Sequence, residues 1–274
     1  MCSNCRAFIT VDDKVCPYCD FQLGARAIDL RVPDNLLGGL IPSTRFLTMI
    51  ILILNSGIYA ATILYSMNAG NPGALTNIDG RTLVLFGAKY GPFVAAGQWW
   101  RLVTAGFLHG GIVHILFNSF SLLDVGAHVE ELYGMSRMAV VYLVSTVAGF
   151  AVSYWWSPVT SIGASAGVFG LLGAMLAWGI KWERTAYGSA VKQQYSRWVV
   201  YGLVMSLIGP IDMGAHIGGL AGGFAVGWIA GEPHKSRGAD RIWDFAMYAS
   251  VAIVLACFAK VAMLLGPFLL GGGE

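Results

Sequence analysis

Seven apolar runs separated by short polar breaks organise most of this chain. A helix that crosses a membrane needs about 20 mostly apolar residues. Runs at 46–66, 112–132, 138–156, 164–180, 198–208, 214–230 and 242–264 approach that requirement. The third and fourth come from one uncharged stretch, 138–180, broken near Ser157-Pro158. The connection 67–107 is long and carries Asp79, Arg81, Lys89, Arg101 and the pair Trp99-Trp100. Only the turn 209–212 separates the fifth run from the sixth. The pattern predicts an all-α fold, a polytopic bundle of membrane helices.

Composition strengthens that expectation. Hydrophobic residues make up 56% of the 274 positions and charged residues 12%, where a soluble domain carries about 25% charged residues. The mean hydropathy is +0.65. Thirty-six glycines suit helices whose backbones approach closely within a bilayer. A net charge of +2 gives no reason to expect a nucleic-acid partner. Residues 1–45 lack the short apolar core of a secretory signal, so none is expected there.

The N-terminal end reads differently. Cys2-Ser-Asn-Cys5 and Cys16-Pro-Tyr-Cys19 form two CxxC knuckles. Each knuckle sets two thiolates on one side of a tight turn, which suits a tetrahedral zinc ion. Two disulfides, or free thiols in a tail, are the alternatives. A unit of this size needs such a staple to fold. The expected organisation is a zinc-ribbon-like knuckle at 1–24, a linker at 25–45 and a transmembrane domain at 46–267. Cys257 lies in an apolar run and reads as packing.

Lysine and arginine set the expected orientation. With the N-terminus inside, thirteen of them fall in inner segments, three (Arg81, Lys89, Arg101) in outer ones and Lys260 in the last run. The positive-inside rule then puts the knuckle in the cytoplasm, where reducing conditions favour zinc over disulfides.

Strongly polar residues inside spans are costly and mark function. They gather in three places. His109-Gly-Gly-Ile-Val-His114-Ile-Leu-Phe-Asn118 enters the second run, with His114 and Asn118 on one helix face. Ser161-Ile-Gly163-Ala-Ser165-Ala-Gly167-Val-Phe169 opens the fourth, placing Ser165 at a helix N-terminus. Gly214-Ala-His216-Ile-Gly-Gly219-Leu-Ala-Gly-Gly223 opens the sixth, and Gly219 and Gly223 make a small face for close helix contact. Singly, these clusters read equally as helix packing, a metal ligand or a proton relay. Together they enter from one membrane face at similar depth. A serine becomes a nucleophile at neutral pH when an imidazole takes its proton. His114, Asn118 and the Ser165 amide are suited to stabilise an oxyanion. The turn residue Asp212 is the only acid near these clusters, so a Ser165–His216 dyad is expected rather than a triad.

These motifs resemble the rhomboid family of intramembrane serine proteases over about residues 40–265. The matching features are Trp100-Arg101, His109-x4-His114-x3-Asn118, Gly126-x3-Glu130-x3-Gly134, Gly163-Ala-Ser165 and Ala215-His216-x2-Gly219-x3-Gly223. The resemblance implies a six-helix core plus one C-terminal helix, with Ser165 and His216 catalytic. It implies oxyanion roles for His114, Asn118 and the Ser165 amide, and supporting roles for His109, Gly163, Phe169 and Gly219. Phe169 matches the aromatic position that packs on the dyad histidine. Ala166 departs from the glycine that usually follows the nucleophile. The implied substrates are transmembrane proteins in a lipid bilayer, and the implied chemistry needs no cofactor. Zinc at Cys2, Cys5, Cys16 and Cys19 would be structural, and a cytoplasmic partner is one role for the knuckle. A multi-pass protein of a bacterial inner membrane is the expected setting. Two rival readings are a non-catalytic rhomboid-like protein that binds membrane clients and a transporter or metal-handling protein.

Overall fold

The computed structural model describes Cys5 and residues 15–20, 45–208, 211–231 and 237–269. The chain divides into two compact units, Met1–Ser43 and Thr44–Glu274. In the first, a turn follows Cys16, whose carbonyl accepts the Asp20 amide at 3.0 Å. Cys2 and the linker expected at 25–45, Arg45 apart, lie outside the described residues.

The second unit is helical. Its elements are α1 (Phe46–Asn68), α2 (Gly80–Leu85), α3 (Gly91–Ala95), α4 (Arg101–Thr104), α5 (Ile112–Tyr133), α6 (Met135–Trp156), α7 (Ser165–Lys181), α8 (Ala186–Ser206), α9 (Met213–Ala230) and α10 (Arg237–Leu269). Among the described residues, five helices are long and apolar enough to cross a membrane: α1, α5, α6, α9 and α10 within Asp240–Gly266. The protein is a multi-pass integral membrane protein. Helix α7 is apolar but only 17 residues long. Helix α8 begins three turns before the expected 198, because Thr185 accepts the Gly188 amide at 3.0 Å and starts the helix in a polar stretch.

Helices α6, α7 and α9 form the centre, and glycine sets their spacing. A side chain at Gly219 would strike the Ala166 carbonyl, and one at Gly223 would strike the Gly170 backbone. A Cβ on Gly227 would lie 2.7 Å from Ala174 Cα. The partners advance together, so α7 and α9 run parallel. Helix α6 runs antiparallel to α9: a Cβ on Gly218 would lie 2.7 Å from the Ala148 carbonyl, and one on Gly214 2.9 Å from Trp156 Cβ. Without water to drive association, such close backbone contact is what holds membrane helices together.

Buried polar groups fasten the remaining helices. The Glu130 carboxylate on α5 accepts the Leu47 and Thr48 amides at 2.9 and 3.0 Å and the Thr48 hydroxyl at 2.9 Å. It satisfies amides that the first turn of α1 leaves without partners. Tyr133 at the far end of α5 donates to the Ala174 and Gly227 carbonyls at 2.9 and 3.2 Å. Arg137 donates to the Ala230 carbonyl at 3.0 Å and to Asp240 at 2.8 Å, tying α6 to α9 and α10.

The connection between α1 and α5 folds into short helices around Arg101. This guanidinium is buried, donates to the Val84 and Ala88 carbonyls at 2.6 and 3.0 Å and lies over Phe93.

Candidate active site

The three polar clusters meet at the ends where α5, α7 and α9 begin. Ser165 is the first residue of α7 and is partly exposed. The backbone reaches it through Gly163, whose φ of +127° disfavours any side chain. The Gly163 amide donates to the Ala105 carbonyl at 2.9 Å, which fixes this approach. A Cβ at Gly163 would lie 2.7 Å from His114 Nε2 and 3.5 Å from Ser165 Oγ. Glycine therefore leaves a small space that both the imidazole and the hydroxyl border.

The hydrogen bonds of His114 orient its ring. Nδ1 accepts a long bond of 3.5 Å from the Gly110 amide, so the ring proton is assigned to Nε2, the nitrogen beside Gly163. His109 is fully buried and packs edge-on to His114 with centroids 5.1 Å apart. Asn118 is also buried, but its Nδ2 donates to the His114 carbonyl at 2.9 Å, within its own helix.

His216 sits one turn into α9 and is buried. The Phe169 ring stacks on it with centroids 4.0 Å apart and an interplanar angle of 18°. Ser165 and Phe169 are four apart on α7 and share a face, so this stack holds His216 on the side of Ser165. Gly202 on α8 makes room for the Phe169 ring, since a Cβ there would lie 2.6 Å from Cζ. Among the described residues, Ser165 and His216 share no direct hydrogen bond. Such bonds are commonly loose in unliganded enzymes and tighten when substrate binds. His216 Nδ1 instead meets Ser206 Oγ of α8 at 2.6 Å.

Asp212 occupies the N-cap of α9. One carboxylate oxygen accepts the Ala215 amide at 3.0 Å, and the other accepts the Ser153 hydroxyl. Burial raises the Asp212 carboxyl, but hydrogen bonds from Ser153, Ser161 and the Ala215 amide, with the charge of Lys89, hold it below its ordinary value. Lys89 is fully buried and donates to the Ser157 and Val159 carbonyls at 2.8 Å each. Its backbone pairs with Ser161 in both directions, at 3.1 and 2.9 Å. The connection before α5 thus grips the segment that leads into Ser165.

The expected residues Ser165, His216, His114, Gly163, Phe169, Gly219 and His109 surround this one site. The structure adds Ser206, Ser153 and Lys89 to these surroundings. Serines in a helix and a lysine in a loop carry no local pattern that would distinguish them.

The Rhomboid domain model matches residues 96–233, half of the chain. The chain belongs to the rhomboid family, a family of intramembrane proteases. Rhomboid protease GluP of Bacillus subtilis (strain 168) is 35% identical over 182 residues, 66% of this chain and 35% of that protein. RHOMBOID-like protein 7 of Arabidopsis thaliana is 35% identical over 170 residues, 60% of this chain and 54% of that protein. Rhomboid-like protease 1 of Toxoplasma gondii is 31% identical over 184 residues, 64% of this chain and 61% of that protein. The chain thus spans between 35% and 61% of the length of these relatives.

Proposed function

We propose that this protein is an intramembrane serine endopeptidase that hydrolyses peptide bonds in or near transmembrane segments of membrane proteins. The observation that supports this reading is that Ser165 and the Nε2 face of His114 border the space beside Gly163, while His216 is stacked on Phe169, one turn along α7 from Ser165. Ser165 Oγ attacks the substrate carbonyl carbon while its proton passes to His216 Nε2. The tetrahedral oxyanion takes hydrogen bonds from His114 Nε2–H, from the Ser165 amide and from Asn118 once its amide turns from the His114 carbonyl. On collapse the peptide C–N bond breaks, and His216 gives its proton to the departing amine. Water, deprotonated by His216, then hydrolyses the acyl ester and restores Ser165. Ala166 retains the backbone that this chemistry uses.

The test is cleavage of a single-span substrate in liposomes by wild type, Ser165→Ala and His216→Ala. Wild type is expected to cut and to react at Ser165 with a fluorophosphonate, and both variants are expected to fold without cutting. A wild type that neither cuts a panel of substrates nor labels at Ser165 overturns the reading in favour of client binding.

The orientation that fits the lysine and arginine distribution puts the N-terminus in the cytoplasm, within a bacterial inner membrane. The knuckle holds a structural zinc. Sulfur atoms of Cys5, Cys16 and Cys19 lie within 4.8 Å of one another, and those of Cys5 and Cys16 are 3.6 Å apart. Tetrahedral zinc with Zn–S bonds of about 2.3 Å separates its sulfurs by about 3.8 Å, so these three thiols fit the ion, with Cys2 as the fourth ligand. Elemental analysis is expected to give one zinc per chain, reduced by Cys16→Ser; zinc absent from wild type would refute the assignment.

A further inference from the structure

The hydroxyl of Ser206 faces two partners. It donates to the Gly202 carbonyl at 2.6 Å, and it lies 2.6 Å from His216 Nδ1. A hydroxyl has one proton, and a carbonyl only accepts. At 2.6 Å both contacts are too short to share that proton well, and each is a full bond when His216 Nδ1 carries hydrogen and donates it to the Ser206 oxygen. The neutral imidazole then keeps its lone pair on Nε2, the nitrogen a base must present to Ser165. Ser206 is only 4% exposed and His216 6%, so the bond is shielded from competing water. Asp212 does not serve this purpose, because its oxygens are committed to the Ala215 amide and to Ser153.

We infer that Ser206, near the C-terminal end of α8, is a positioning residue that fixes the tautomer and ring orientation of His216 through Nδ1. This rests on the catalytic reading of His216. The site is then a nucleophile, a base and a neutral orienting hydroxyl drawn from α7, α9 and α8. A hydroxyl can do here part of what a carboxylate does in a triad. It holds the ring without burying a further charge in the bilayer, where charge is costly. The Phe169 stack fixes the plane of the ring, and Ser206 fixes its rotation within that plane. Gly202 joins the two constraints, since its carbonyl takes the Ser206 proton and its missing side chain admits the Phe169 ring.

The test uses the full-length protein in detergent micelles with ¹⁵N-labelled histidine, beside cleavage kinetics in liposomes. Wild-type His216, assigned by comparison with His216→Ala, is expected to show the chemical shifts of a neutral ring protonated at Nδ1. Ser206→Ala is expected to lose that signature and to lower kcat by about 10- to 100-fold with KM unchanged. Ser206→Thr, which keeps the hydroxyl, is expected to restore most of both. A wild-type ring protonated at Nε2, or unchanged kcat in a folded Ser206→Ala, overturns the inference. If Ser206→Ala does not fold, the wild-type shifts decide the matter alone. If His216 shows the Nδ1 proton but wild type neither cuts nor labels, the tautomer assignment stands and the protease reading fails.

Discussion

Helices α8 and α9 both pack along α7, yet they do so by opposite means. Helix α9 brings bare backbone against bare backbone, with Gly219, Gly223 and Gly227 fitted to Ala166, Gly170 and Ala174. Helix α8 contributes large side chains to the core, Val191, Tyr195 and Val199, and leaves Trp198, Tyr201, Val204 and Met205 exposed. The difference separates two requirements of one site. If His216 is the base proposed above, it must be held to a fraction of an ångström relative to Ser165, and a glycine seam suits that need because it leaves no side chain free to repack. Helix α8 reaches His216 through the Ser206 hydroxyl and leaves much of its apolar length exposed.

The sharpest way to break the comparison is Gly223→Ala. The added methyl meets the Gly170 backbone, which cannot move aside without separating α7 from α9. A loss of about 3 kcal/mol and of nearly all cleavage is expected, measured as thermal unfolding and turnover. Wild-type stability in this variant would show that the seam is slack.

Next in size is Lys89→Met. It keeps the stem but removes the bonds to the Ser157 and Val159 carbonyls. Two charge-assisted bonds justify an expected loss of about 2–3 kcal/mol. Amide exchange at Lys89 and Ser161 should accelerate, whereas exchange within the α7–α9 seam should not. Equal acceleration in both places would mean that the loop and the seam unfold as one unit.

A smaller effect is expected from acid. The carboxyl of Asp212 is held below its ordinary value of 3.8, so the folded state binds its proton less readily than the unfolded chain does. Its contribution to stability is complete above the ordinary carboxylate range and is lost as pH falls through 3.8 and below. The stability difference between wild type and Asp212→Asn should therefore shrink on acidification over that window. A difference independent of pH would show that the carboxylate charge contributes nothing.

The smallest effect is expected at Gly57 on α1, where an added Cβ meets nothing within 4 Å. Gly57→Ala should change stability by no more than about 1 kcal/mol, in the stabilising direction. A large loss there would mean that the tight seam is not what makes glycine indispensable in this protein.

Much of this arrangement can be read from sequence, for reasons tied to particular residues. Helices α1, α5, α6 and α9 announce themselves because apolar length is a property of a contiguous segment. Helix α8 is harder, since Lys192, Gln193 and Gln194 interrupt it; the structure pairs Lys192 with Glu183 at 2.6 Å at its exposed end. Ser165, His216 and His114 stand out as polar groups among glycine and apolar residues. Ser206 and Lys89 are ordinary residues in ordinary surroundings until folding brings His216 to one and the Ser157–Ser161 segment to the other. Asn118 teaches the reverse lesson. Its spacing from His114 places it on the site's face, but the nearest acceptor is its own helix carbonyl, and that bond wins.

The division of the site between α7 and α9 has a consequence for synthesis. Ser165 leaves the ribosome well before His216, with the whole of α8 between them. On the proposed mechanism the serine has no base until α9 has inserted and its glycines have closed on α7. A half-made chain would then be inert toward its neighbours in the membrane, with proteolytic competence arriving only when the transmembrane core is complete.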